Sequence, residues 1–246
     1  MILNNTIDLE GEREFHNRRF EEGDSRQAQQ KYYWTIQRGA EKYWDAVQLH
    51  SMRADVLSYG CGLGEGLSSL LPIAKSLDGI DISDAAIEQV RQKLGGPSAA
   101  FHVMDAMNLD FPDRRFDLVF GSGIIHHLDV ELACKEIHRV LKPGGRAIFW
   151  EPLGVNPIIN AYRHVTPNAR TPDEHPLLPK DFRTMRKLAF KVKTEYFGLF
   201  TLGSVPLRNL KGSEKILSVL EKIDNVALKI PGFRFAAWYS IITLVK

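Results

Sequence analysis

Gly60-Cys61-Gly62-Leu63-Gly64-Glu65-Gly66 follows a short apolar run, Asp55-Val-Leu-Ser-Tyr59, and precedes a stretch that reads as a helix. Glycines at such a place let the backbone turn sharply and come close to a ligand. A helix start adds unpaired N–H groups that suit an anionic group. The spacing is not that of a dinucleotide binder. In Gly-x-Gly-x-x-Gly the third glycine falls on Glu65 counted from Gly60, and on Leu67 counted from Gly62. Two acids occupy related places: Asp81 in Gly79-Ile-Asp-Ile-Ser83 and Asp105 in Val103-Met-Asp-Ala106. A carboxylate at the end of a second strand can accept hydrogen bonds from both hydroxyls of a ribose. One at the end of a third can accept from an exocyclic amine while the next backbone N–H meets a ring nitrogen. A ligand with a charged tail, a ribose and an amino-purine fits all three. His126-His127 and Glu151 follow two later apolar runs, and imidazole suits general-base work because it titrates near neutrality.

The elements that must position these groups appear as a cadence. Apolar runs at 55–59, 77–82, 99–104, 116–120 and 146–150 alternate with helical stretches at 64–75, 84–94 and 130–141. Strand, helix, strand at this spacing predicts parallel βαβ units and an α/β sheet. Phe116-Asp-Leu-Val-Phe120 and Ala147-Ile-Phe-Trp150 are as apolar as buried parallel strands require. Ser83, Asp84 and Asp129 offer N-caps. Open sheets bind ligands at the carboxyl ends of their strands, so the glycine loop, both acids and the histidine pair are predicted to meet at one edge. The polar, aromatic-bearing stretch 10–47 reads as one or two helices. After Glu151 the rhythm breaks: residues 152–181 hold six prolines with Arg163, His164, Arg170, Asp173, Glu174 and His175, a density that suits a fixed lid. A helix at 179–190, a strand at 191–200, a helix at 213–229 and a strand at 235–245 complete the chain. In that last helix Ile216, Leu217, Leu220, Ile223 and Leu228 read as a face packed on the sheet rather than a membrane anchor.

With 246 residues, 44% hydrophobic and 25% charged, the chain is neither disordered, collagenous nor a coiled coil throughout. Cys61 and Cys134 alone make no disulfide scaffold, so a reducing, cytoplasmic setting is expected. The first residues have no signal-peptide pattern, and no apolar run reaches the roughly 18 residues that span a bilayer. Metal-ligand spacings such as Cys-x-x-Cys are missing, so no metal is predicted. The net charge of +2 conceals an asymmetry: residues 153–246 hold 15 Lys+Arg against 7 Asp+Glu. Such a segment suits an anionic substrate, an acidic lipid surface or nucleic acid, or is simply a solvated face. It lacks the aromatic interleaving of a single-strand binder, and no nucleic-acid partner is expected.

The stretches VLSYGCGLGEG, GIDIS, FHVMDAMNL, FPDRRFDLVFGSGIIHHL and EIHRVLKPGGRAIFWEP, spanning about residues 55–152, together resemble the class I S-adenosylmethionine-dependent methyltransferases. The likeness is closest to the small-molecule branch with the ubiquinone and menaquinone methyltransferases (type 11). It implies a Rossmann-like, seven-stranded, mostly parallel sheet with an antiparallel last strand. An N-terminal helical cap (1–52) would precede a methyltransferase domain (53–246) carrying the lid (152–181). The implied cofactor is S-adenosyl-L-methionine. It would be held by the loop at Tyr59, Gly60, Cys61, Gly62 and Gly64, by Asp81 and Ile82, by Asp105 and Ala106, and by Gly121 and Ser122. The chain departs from the pattern at Ser58, where the family usually has an acid that holds the cofactor's ammonium group. Either affinity is lower, or another acid such as Glu65 substitutes. Cys61 reads as a packing residue.

Methyl transfer from a sulfonium needs in-line alignment of the nucleophile, and a base where the acceptor is a hydroxyl or an acidic carbon. His126, His127 and Glu151 are the candidates, with His126 favoured. His16 and Tyr33 from the cap, and Arg163, His164, Arg170 and His175 from the lid, are candidate substrate contacts, the arginines for a carboxylate or phosphate. The expected function is methyl transfer to an O, N or C atom of a small molecule, anionic or lipophilic. The rival readings are a non-catalytic relative that binds the cofactor and a nucleotide-dependent oxidoreductase.

Overall fold

A computed structural model describes residues 8–22, 30–166, 174–188 and 190–246. Seven strands form one sheet in the order β3-β2-β1-β4-β5-β7-β6. They are β1 (Asp55–Tyr59), β2 (Ser76–Asp81), β3 (Ala99–Val103), β4 (Phe116–Ser122), β5 (Leu141–Pro152), β6 (Lys191–Phe197) and β7 (Tyr239–Val245). The first five pair in parallel, and β7 runs antiparallel to both β5 and β6. The expected α/β architecture with a reversed last strand is what forms.

Both faces of the sheet are covered, which explains the unbroken apolar strands. Along β1, β4 and β5, Leu57, Tyr59, Val119, Ala147 and Phe149 point to one core. Val56, Leu118, Phe120, Ile148 and Trp150 point to the other. The first core is closed by α5 (Val130–Val140) and α7 (Pro179–Lys187), the second by α3 (Gln37–Ser51) and α4 (Asp84–Leu94). Caps set the helix starts: Asp129 accepts from the N–H groups of Glu131 and Leu132, and Ser83 Oγ from that of Ala86.

N-terminal to α3 lie α1 (Leu9–Glu22) and the four-residue α2 (Gln30–Tyr33). Asp84, at the first turn of α4, accepts from Arg13 and Asn17 of α1 at 3.2 and 2.8 Å, which anchors α1 beside the strand tips. The proline-rich stretch contains α6 (Pro157–Val165), capped by Asn156. It returns to the body where Leu153 bridges Leu177, both buried. Last in order is α8 (Ser213–Ala227).

Two expectations are corrected. The helix expected at 64–75 is only a 3-10 turn at Leu67–Ser69. Gly64 and Gly66 adopt left-handed backbone just before it, and Pro72 forbids helical continuation. The last helix does not lay its apolar residues on the sheet: Leu217 and Leu228 are buried, whereas Ile216 and Ile223 are exposed. Its packing partner is the turn at Thr201–Leu207.

Candidate functional site

A cavity of about 700 Å³ opens at the carboxyl ends of β1, β2, β3 and β4. On one side it meets Gly60, Cys61 and Gly62, then Asp81 with Ile82, Asp105 with Ala106, and Gly121 with Ser122. Asp81 is fixed from both oxygens: Oδ2 accepts from the Gly62 N–H at 2.8 Å and Oδ1 from the Ser83 N–H at 3.0 Å. Each oxygen keeps a further lone pair for a ligand. Asp105 Oδ1 accepts from the Met107 N–H at 2.7 Å, which sets its carboxylate at the third strand end. Gly62 has φ +47°, and a Cβ there would point at Phe20 of α1, so loop and helix meet without a side chain between them. These groups fit an adenosyl ligand: paired acceptors for a ribose, an acceptor beside an N–H for an amino-purine, and an open glycine turn for its tail.

Cys61 lines the cavity, and burial, followed by the neighbouring Asp81 charge, pushes its thiol far up. A nucleophilic thiolate is thereby disfavoured. Ser58 is buried and also lines the cavity, as do Glu12 and Glu65.

Tyr59 and Gly64 are placed elsewhere than expected. The Tyr59 ring is fully buried in the core beneath the sheet, and its hydroxyl donates to the carbonyl of Ala106. It braces the third strand end instead of lining the cavity. At Gly64 a Cβ would strike Val90 Cγ2 at 2.5 Å, so this glycine lets the loop pack on α4.

The histidine pair divides. His127 lines the cavity, with Nδ1 3.3 Å from Glu12 Oε2. His16 Nε2 lies 3.4 Å from the same oxygen. His126, the favoured candidate, does not line it: its Nδ1 sits 2.7 Å from Glu151 Oε2. Glu151 is fully buried, and its Oε1 accepts from the N–H groups of Ile124 and Ile125, both at 2.9 Å. Glu151 therefore clamps the turn after β4 and points His127 into the cavity. Burial lowers the His126 pKa and outweighs the raising effect of the Glu151 hydrogen bond, so the ring is held neutral.

Of the predicted substrate contacts, His16 and Tyr33 line the cavity. Arg163 does not: it donates to the Leu153 carbonyl and to Asn160, tying α6 to its own loop. His164 is exposed on α6. His175 acts through its backbone N–H, which donates to the His126 carbonyl at 2.8 Å and straps the returning segment to the histidine turn. Arg170 lies outside the described residues. Tertiary structure also reveals what sequence reading missed. Glu12, Phe20, Trp44, Trp150 and Tyr239 complete the cavity, with Trp150 stacked on Tyr239 at a centroid distance of 4.8 Å. Glu12, His16 and His127 bring their donor atoms within 4.8 Å of one another, a gathering that linear spacing does not show because α1 and the turn after β4 are far apart in sequence.

Fold and strand-tip geometry together define a class I methyltransferase architecture. Residues 57–149 match a family described as a methyltransferase domain, and this stretch is similar to the S-adenosylmethionine-dependent methyltransferases of the type 11 branch. A demethylmenaquinone methyltransferase of Chlorobaculum parvum is 33% identical over 126 residues, covering 47% of this chain and 51% of that protein. An O-methyltransferase, cnsE, of Penicillium expansum is 30% identical over 150 residues, covering 56% and 52%. The chain thus aligns with about half the length of these curated relatives. Among solved structures, phosphoethanolamine N-methyltransferase 2 of Haemonchus contortus in complex with S-adenosyl-L-methionine superposes with a TM-score of 0.64 at 16% identity, covering 98% of this chain and 60% of that one. At that identity the likeness speaks for the fold. No described helix is long and apolar enough to cross a membrane.

Proposed function

We propose that this protein transfers a methyl group from S-adenosyl-L-methionine to a small, largely apolar acceptor, with His127 as the base. The observation that carries the reading is the convergence of the Gly60–Gly62 turn, the Asp81 carboxylate and the Asp105–Ala106 pair on one cavity. When bound, S-adenosyl-L-methionine supplies a methyl activated by its sulfonium charge. Asp81 holds the ribose hydroxyls, and Asp105 with the Ala106 N–H reads the adenine edge. Gly121 and Ser122 close the tail side.

The cavity also meets Trp44, Trp150 and Tyr239, whose flat apolar surface suits an aromatic or quinone-like ring. One relative is named an O-methyltransferase and another a demethylmenaquinone methyltransferase, consistent with acceptors that shed a proton. Donation from Nδ1–H of His127 to Glu12 would place the basic lone pair on Nε2. Nε2 would then be the atom that takes and holds the acceptor's proton. Glu12 is the positioning residue for that ring, and Glu151 with His126 sets the turn that carries it. Helix α1 and residues 30–44 act as the cap of the acceptor side, while the segment returning at His175 braces the histidine turn from outside the cavity.

Calorimetric titration with S-adenosylhomocysteine and NADH, followed by incubation of the protein with labelled cofactor and a metabolite extract, tests the reading. Binding of S-adenosylhomocysteine and label appearing in a small molecule are expected. Binding of NADH alone would overturn the cofactor assignment. Tight S-adenosylhomocysteine binding with no turnover on any pool would favour a non-catalytic relative.

A further inference from the structure

Helix α8 has two faces of opposite character. Its three acidic residues are all engaged by the body. Glu214 accepts from Trp34 Nε1 at 3.0 Å, and Glu221 pairs with Arg38 at 2.6 Å. Buried Asp224 accepts from the N–H groups of Leu199, Phe200 and Thr201. The outward face is apolar. Ile216, Val219, Ile223 and Val226, continued by Ile230 and Phe233 just past the helix, are between 37% and 67% exposed. Along one edge of this stripe run Lys215, Lys222 and Lys229, seven residues apart and all exposed. With the acids spent inward, the charge bordering the stripe is positive.

We propose that this face docks on an anionic lipid surface. A helix lying in a bilayer interface wants this arrangement: apolar residues facing the acyl boundary and lysines at headgroup level. Each lysine is attracted by the negative potential of acidic lipids. At 15 residues α8 is too short to span a bilayer, so it would lie along the surface. The seven-residue recurrence also raises pairing with a second copy, but the charges disfavour it. In a parallel pair the lysine row would face Leu220 and Ala227, which offer no counter-charge, and in an antiparallel pair lysine would face lysine. An anionic surface satisfies both the apolar stripe and its lysine edge.

The test uses the full chain and vesicles of phosphatidylcholine with and without phosphatidylglycerol, read by co-sedimentation. Binding that depends on phosphatidylglycerol and weakens as salt rises is expected. The Ile223→Asp/Val226→Asp variant should lose at least about tenfold in partitioning. The Lys222→Glu/Lys229→Glu variant should also lose binding, although its apolar stripe is intact. All four positions are exposed, so circular dichroism and S-adenosylhomocysteine affinity should remain those of the parent. That separates this inference from the proposed methyl transfer. Absence of phosphatidylglycerol-dependent binding, or variants that bind like the parent, would overturn it. So would a dimer in analytical ultracentrifugation that Ile223→Asp/Val226→Asp dissolves, which would assign the face to a second copy.

Discussion

One wall of the cavity comes from residues 60–123, as consecutive strand ends of a single sheet; the facing wall draws Glu12, His16 and Phe20 from α1, Tyr33 and Trp44 from the segment before β1, Trp150 from β5 and Tyr239 from β7. The strand-tip wall is held largely by the backbone. Asp81 is fixed by two N–H groups and Asp105 by one, and parallel pairing sets the spacing between them. The facing wall is held by side chains, such as Asp84 gripping α1 and Tyr43 donating to the Gly121 carbonyl at 3.0 Å. A wall fixed by sheet geometry suits the invariant part of a ligand pair. A wall fixed by what packs over it can be reshaped for one acceptor without disturbing the first.

The hardest test of that division is His127→Gln. If the acceptor is handled at His127, which Glu12 of the facing wall contacts, kcat falls by about 10²- to 10⁴-fold, the usual worth of a positioned base, while S-adenosylhomocysteine affinity stays near that of the parent. An equal loss in both would join the walls into one site. Adding a chelator to the parent enzyme sharpens the result. Glu12, His16 and His127 gather closely enough to hold an ion, but a set that only moves a proton leaves activity unchanged in EDTA. Next in size is Asp81→Ala, which removes a carboxylate from the other wall. It should weaken S-adenosylhomocysteine binding at least about tenfold, as expected for losing a charged acceptor, with acceptor KM little changed.

The two walls also differ in how far sequence discloses them. Gly62, Asp81 and Asp105 stand at the ends of strands whose apolar runs mark themselves, so position along the chain already implies position in space. Glu12 carries no such mark: an acid on a polar helix is ordinarily solvated, and only docking of α1 on Asp84 brings it to His127. Choosing between His126 and His127 needed the Glu151 side chain, because adjacent residues diverge and sequence does not say which way. Helix α8 departs from its expected packing for a related reason. Its periodicity is plain, but which side faces the body depends on Trp34, Arg38 and the N–H groups near Phe200 claiming its acids. The expected helix at 64–75 failed because turn-forming Gly64 and Gly66 outweigh the apolar spacing that follows.

The seam between the walls, where Glu151 and His126 meet, should respond to pH through stability. Burial lowers the His126 pKa below its ordinary value, the Glu151 bond only partly opposing it. Unfolding exposes an imidazole that binds protons more readily. The unfolded state therefore takes up more protons once pH falls below about 6.5, and stability declines from there downward while it is fully present above. Thermal unfolding followed from pH 8 to pH 5 should show this slope, and His126→Asn should flatten it. A parent protein with no slope in this interval would mean that the ring is not held neutral.

The smallest effect expected is also the most selective. Asp84 receives Asn17 and Arg13 from α1, but it is half exposed, as is Arg13 in part. An exposed pair of this kind contributes roughly 0–1 kcal/mol, so Asp84→Ala should move global stability little. The hydrogen bonds from Asn17 and Arg13 hold the Asp84 carboxyl below its ordinary range, so the latch persists at neutral pH. Releasing it lets α1 swing, and α1 brings Glu12 and His16 to the cavity, whereas Asp81 and Asp105 stay fixed by the sheet. Acceptor KM should therefore rise a few-fold, while S-adenosylhomocysteine affinity changes less and the unfolding midpoint hardly at all. If cofactor affinity falls as much as acceptor KM rises, α1 belongs to both walls, with Phe20 over Gly62 as the contact responsible.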